Sequence, residues 1–271
     1  MIPGIGTEVE KRLAGFMEPR VTDIRPEALL RREFALVGGS EPEALHMGLH
    51  CSGASELTVV VTDPKRPLGN VQIQCGGRNN VVFFDNANWR GAAVAKIRIP
   101  GSDNLLFFND IGDGYVGIDE LLLRSDRQIV YWGVGATAVS VSLEVEGEGS
   151  AVVIGDDALI SNGVWIRNYD MHSMHDLRTG AQINRRPCDT VLERHVWLGQ
   201  DALLLHCERV GMGTIVGARA MLKGHVPPRV VVAGAPARVL REEISWGRHP
   251  YGMTPEERVA IGLSPQPTAP G

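Results

Sequence analysis

Between Arg167 and Val191 runs a polar stretch, NYDMHSMHDLRTGAQINRRPCDT, in which His172 and His175 stand among the carboxylates Asp170 and Asp176. A histidine gains and loses its proton near neutral pH, so a positioned imidazole suits general-base work on a hydroxyl. His172 is the candidate base, and Asp170 and Asp176 flank it. Either carboxylate can fix the ring tautomer through the nitrogen that does not face substrate. His175, three residues on, is the internal rival, or with Asp176 a second contact to substrate. His195, His206 and His225 read as packed or surface residues of the flanking repeats.

The elements that position this stretch are written as repeats. Ile154, Ile160 and Ile166 are six residues apart, and after the polar stretch so are Leu192, Leu198, Leu204, Val210, Val216 and Leu222. Neither a helical period nor simple alternation gives a strict six. A triangular coil does, with one aliphatic per short flat strand pointing inward and small residues at the corners. Glycine follows the aliphatic at 155, 199, 211 and 217. Upstream the period is 24: Leu57, Val81, Leu105, Ile129 and Val153 form one series, and Ile73, Ile97, Leu121 and Val145 another. Turn clusters such as Gly76-Gly77-Arg78-Asn79 and Pro100-Gly101-Ser102-Asp103 precede the β-rich runs. Strand, turn and strand at fixed period predict stacked solenoid coils, with Phe83, Phe107 and Tyr131 one above another. The polar stretch is then an insertion looping out of the solenoid, and such insertions often carry function.

Composition bounds the rest. The 271 residues carry a formal net charge of -5, which gives no global attraction to nucleic acid or anionic membrane. The N-terminus has no apolar signal core and no apolar run approaches a bilayer span, so a cytoplasmic protein without membrane insertion is expected. Cys51, Cys75, Cys188 and Cys207 are scattered without CxxC spacing and read as buried free thiols rather than a zinc or disulfide set.

Residues 150–246 resemble the hexapeptide-repeat acyltransferases, and most of all those that O-acetylate sugars of surface glycans. The resemblance is carried by Ile154-Gly155-Asp156-Asp157-Ala158, Tyr169-Asp170-Met171-His172-Ser173-Met174, His195-Val196-Trp197-Leu198-Gly199-Gln200, Val226-Pro227-Pro228 and Ala233-Gly234-Ala235-Pro236-Ala237-Arg238-Val239. It implies an all-β left-handed parallel β-helix, a homotrimer, a sugar or glycan acceptor, and acetyl-CoA bound between adjacent subunits, with no metal. It maps the family's catalytic histidine onto His172 and places Trp197 beside the thioester and acceptor. Backbone N–H groups near Gly199 are the candidate oxyanion donors. Lys223, Arg238 and Arg241 are the candidate cations for the donor phosphates, Arg238 matching the family position after Gly-x-Pro-Ala. Two departures stand out: Lys223-Gly224-His225 precedes the Pro-Pro where the family often has Thr-Lys-Asp, and Ala235 replaces a frequent asparagine.

The expected organisation is an N-terminal segment of open role (1–50), a β-helix (51–232) with the loop at 168–190, a C-terminal helical cap (233–262) and a disordered Pro-rich tail (263–271). The coils are of 24 residues to about 153 and hexapeptide from 154 to 222. Within the cap, Arg238 to Trp246 reads as a short amphipathic helix. Two rivals share the repeat: a γ-carbonic anhydrase-like zinc β-helix that would recruit His172, His195 and His206, and a trimeric scaffold without catalysis.

Overall fold

A side chain that points inward from each flat strand must stack on its equivalents in the coils above and below, and the strand register shows that it does. In the computed structural model, which describes residues 11, 35–37, 42–53, 56–184 and 186–266, the chain winds as a left-handed parallel β-helix. One face stacks Leu49–Gly53, Gly69–Cys75, Ala92–Ile99, Tyr115–Leu123, Thr137–Val145, Val164–Arg167, Leu203–Val210 and Met221–Val226. A second face stacks Leu57–Val61, Asn80–Phe84, Leu105–Phe108, Ile129–Trp132, Ala151–Ile154 and Thr190–Leu192. The third, in the hexapeptide half, stacks Leu159–Ile160, Trp197–Leu198, Ile215–Val216 and Val231–Gly234.

The hexapeptide aliphatics meet in register: Ile160, Leu198, Val216 and Val232 form one column, and Ile166, Leu204 and Leu222 another. All are at most 2% exposed, so they are the core. Three lines of left-handed backbone turn the corners. One runs through Asp157, His195, Gly213 and Arg229, one through Gly163, Asp201 and Arg219, and one through His206 and Gly224. Gly155 answers a different need, close approach of coils, because a Cβ there would lie 2.5 Å from the Glu193 carbonyl carbon.

Upstream, Val81, Leu105 and Ile129 pair in sequence, as do Ile73, Ile97 and Leu121. Phe83 stacks on Phe107 at 4.5 Å and Phe107 on Tyr131 at 5.8 Å. Buried amides line the corner before these strands, Asn80 Oδ1 accepting from Asn104 N and Asn104 Oδ1 from Gln128 N. The period then shortens: Ile129 pairs with Ala151 rather than Val153, and Leu121 with Leu143 rather than Val145. Two residues are lost as the coils tighten toward the hexapeptide form, and because side chains alternate with period two the inward set stays inward. At the other end Leu57 pairs with Asn80 rather than Val81.

The segment from Arg238 is not a helix. Ala237–Arg241 is a strand running antiparallel to Val231–Gly234, with Ala233 opposite Arg238. The last coil would otherwise present unpaired backbone N–H and C=O groups, and a strand satisfies them where a helix would not. The C-terminal helix lies further on, at Pro255–Ala260, closed by a capping box between Thr254 and Glu257. Of the expected tail, Ser264 and Gln266 are held through their carbonyls by Arg258, and residues 267–271 lie outside the described residues. Most of the 1–50 segment also lies outside them; its described parts include Ala35–Val37, antiparallel to Leu57–Val61, and a short helix at Pro42–His46. None of the four cysteines forms a disulfide among the described residues, and Cys75 and Cys207 are buried while Cys51 and Cys188 are half-buried. Burial pushes the Cys207 thiol up to about 12, so it is protonated and unreactive at neutral pH. No helix among the described residues is long and apolar enough to cross a membrane.

Candidate active site

The insertion leaves the β-helix at one corner and returns to the same corner. Asn168 closes its base: the Nδ2 donates to the carbonyls of Glu146 and Cys188, and Cys188 N donates to the Asn168 carbonyl. Beyond that base the chain folds into a small hairpin, with Ile183 N on Met174 O and Asp176 N on Ala181 O. Asp176 makes the turn. Its carboxylate accepts from the backbone N–H of Arg178 and Thr179 and from the Arg178 guanidinium. Those bonds, the Arg178 side chain first, hold its pKa below the usual carboxylate range. His175 Nδ1 faces the Gly180 carbonyl at 3.3 Å, inside the same turn. The two residues expected to contact substrate therefore also build the hairpin.

His172 stands exposed on the outgoing limb, anchored by its backbone, whose carbonyl accepts from Asn184 Nδ2 at 3.1 Å. Its imidazole has no hydrogen-bond partner among the described residues. Asp170 is not on His172. Its Oδ1 lies 3.4 Å from His206 Nδ1 and its Oδ2 accepts from Asn184 Nδ2 at 3.3 Å. The expected Asp170–His172 pairing is thus replaced by an Asp170–His206 one, because the corner where the loop departs stacks directly over the left-handed corner at His206. His206 is 4% exposed, and its Nε2 is buried without a partner. Under the hairpin lies a cavity of about 320 Å³ lined by Asp170, Met174, Ile183, Asn184, His206 and Lys223. A cavity of that size lies at the lower end of the range for small-ligand sites.

Trp197 is half-buried on the third face, with its indole N–H 3.4 Å from Ser161 Oγ. It lies against Trp246 at 5.9 Å. Trp246 in turn stacks on His195 at 4.2 Å, and the two exchange backbone bonds: Trp246 Nε1 donates to the His195 carbonyl, and His195 Nε2 lies 2.9 Å from the Trp246 carbonyl. His195 Nδ1 lies 2.6 Å from Asp157. Arg248 binds Asp157 at 2.7 Å and donates to the Gly135 carbonyl. Residues after the terminal strand therefore strap one corner line of the helix and carry Trp246 to the side of Trp197. Burial raises the Asp157 pKa, but the His195 hydrogen bond and the Arg248 charge lower it more, so it stands below its ordinary value.

Of the backbone N–H groups near Gly199, its own is committed to the Val216 carbonyl at 2.7 Å. Its lack of a side chain serves coil packing, with a Cβ falling 2.6 Å from that carbonyl oxygen. Lys223 is on the cavity wall under the hairpin, while Arg238 and Arg241 are exposed on the terminal strand. The structure thus gathers His172, Asp170 and Lys223 around one loop, joined by His206, which the sequence offered only as a packed or surface coil residue or a zinc ligand, and by Asn184, which it did not single out. Nothing in the repeat distinguishes His206 from other corner residues, and Asn184 lies in a polar run without period. The histidines of the zinc rival are dispersed: His195 under the strap, His206 at the loop corner and His172 on the hairpin limb.

No family model matches the chain. It is 29% identical over 211 residues to a polysialic acid O-acetyltransferase of Neisseria meningitidis, a match covering 77% of this chain and 94% of that protein. The match to the galactoside O-acetyltransferase of Escherichia coli is 30% over 100 residues, about half of that protein at 48%. Among solved structures, a polysialic acid O-acetyltransferase superposes with TM-score 0.60 at 25% identity, covering 75% of this chain and 93% of that one. A second acetyltransferase structure specific for polysialic acid, at 21% identity and TM-score 0.52, shares the fold. With the coil register and the hexapeptide columns, these relatives support reading the chain as an O-acetyltransferase of the hexapeptide-repeat, left-handed β-helix kind.

Proposed function

We propose that the protein transfers an acetyl group from acetyl-CoA to a hydroxyl of an acidic surface glycan of the polysialic acid kind, in the cytoplasm, with His172 as general base. The observation that carries this reading is an exposed imidazole, free of hydrogen-bond partners among the described residues, on a hairpin whose base is closed by Asn168. His172 takes the proton of the acceptor hydroxyl as its oxygen attacks the thioester carbonyl carbon. The tetrahedral intermediate then expels the CoA sulfur, and the imidazolium returns the proton to the leaving thiolate. Trp197, steadied by Trp246, presents an indole face beside the thioester. Arg238 and Arg241 supply cations for the donor phosphates from the terminal strand. The chain acts as a homotrimer, with hairpin and third face meeting across neighbouring subunits. The extended match to the meningococcal polysialic acid O-acetyltransferase supports the choice of acceptor.

The test is incubation with acetyl-CoA and, in parallel, oligosialic acid, β-galactosides and nucleotide sugars, reading free thiol and the linkage of the transferred acetyl group. The expected result is thiol release that requires oligosialic acid and an alkali-labile ester on the product. An alkali-stable acetamide, or thiol release that is equal without acceptor, overturns the reading.

A further inference from the structure

Two opposite charges line the cavity under the hairpin without an ion pair between them. Lys223 is exposed and has no acidic partner among the described residues. Asp170, 30% exposed at its side chain, is turned to His206 and Asn184 instead. Opposite charges left apart in one small cavity suit a ligand that carries an anion for the first and hydrogen-bond donors for the second. The wall also contains an orphan: His206 Nε2 is buried with no partner, and a buried polar atom of that kind calls for one. Apolar Met174 and Ile183 complete the lining, as in sites that take the carbon face of a sugar ring.

We infer that this cavity seats one acidic sugar residue of the acceptor, its carboxylate on Lys223 and a hydroxyl on Asp170, with His206 the positioning residue that holds Asp170 from behind. The inference rests on the reading of the hairpin as the acceptor site, and it moves Lys223 from the donor phosphates to the acceptor. Specificity for an acidic over a neutral glycan then resides in one lysine on the strand Met221–Val226.

Steady-state kinetics with oligosialic acid and with the same chain after carboxyl reduction, on wild type, Lys223→Met, His206→Leu and His206→Asn, test this directly. Wild type should prefer the carboxylate form by about ten- to a hundredfold in kcat/KM, the worth of one charged hydrogen bond. Lys223→Met should erase that preference while leaving the KM for acetyl-CoA unchanged. His206→Leu should raise the acceptor KM, and His206→Asn, which can keep a donor toward Asp170, should restore most of it. Lys223 is exposed, so its variant folds whatever becomes of the His206 pair. The inference is overturned if Lys223→Met keeps the preference or raises the acetyl-CoA KM instead, or if wild type prefers the reduced chain, each of which leaves O-acetylation standing. Wild type that acetylates neither chain overturns the acceptor reading itself.

Discussion

Asp170 lies two residues from His172 in the chain, yet its carboxylate is turned to His206 and Asn184. Proximity in sequence suggested an aspartate–histidine pair, but the carboxylate is held by His206 at the corner beneath and by Asn184 across the hairpin. Asn184 is the residue that joins them, since one amide touches Asp170 Oδ2, the His172 carbonyl and the Met174 N–H. Replacing it with alanine should loosen the limb without touching the core. The expected outcome for Asn184→Ala is about a tenfold fall in kcat with unfolding free energy within about 0.5 kcal/mol of wild type, as for surface changes. Kinetics beside urea melts check it; a matching loss of stability would make Asn184 a structural residue alone. The residue types at the site were legible in the sequence because histidine and carboxylate chemistry is local. Their pairing was not, because His206 is brought to Asp170 by coil stacking between residues 36 positions apart.

Coils and corners obey stricter rules than the loop, and here the sequence was readable almost throughout. A side chain every six residues that must stack on its own repeat leaves little freedom, so Ile160, Leu198 and Val216 met as spacing predicted. Gly155→Ala should cost about 1–3 kcal/mol through overpacking against the next coil, since backbone rather than a flexible side chain faces the new methyl group. Thermal melts read that as a lowered Tm, and an unchanged Tm would show that the coils can separate there. The terminal strap was not readable, because Trp246 and Arg248 find partners 51 and 91 residues back in the chain. Its chemistry gives a pH signature. Asp157 has a pKa lowered on folding, so its contribution is complete above the unfolded value of about 3.9 and is lost as pH falls through the lower folded value. Urea melts followed by tryptophan fluorescence at stepwise lower pH should show stability falling below about pH 4 in wild type. The fall attributable to this site should be absent in Asp157→Asn.

At the scale of the whole molecule, a single β-helix has a hairpin standing out from one corner and a strap along another, so hairpin and Trp197 belong to different faces. The proposed active site needs both, and in the proposed homotrimer a neighbouring copy supplies the second. Light scattering at micromolar concentration should therefore give three times the chain mass of 29.4 kDa. A monomer that retains full activity would place all catalytic groups within one chain. The role of His172 is tested by thiol release from acetyl-CoA with oligosialic acid by His172→Ala beside wild type, with donor affinity followed by calorimetry. The expected result is a loss of kcat by about 10²–10⁴, the usual worth of a positioned general base, with acetyl-CoA binding unchanged. Full turnover by His172→Ala contradicts it.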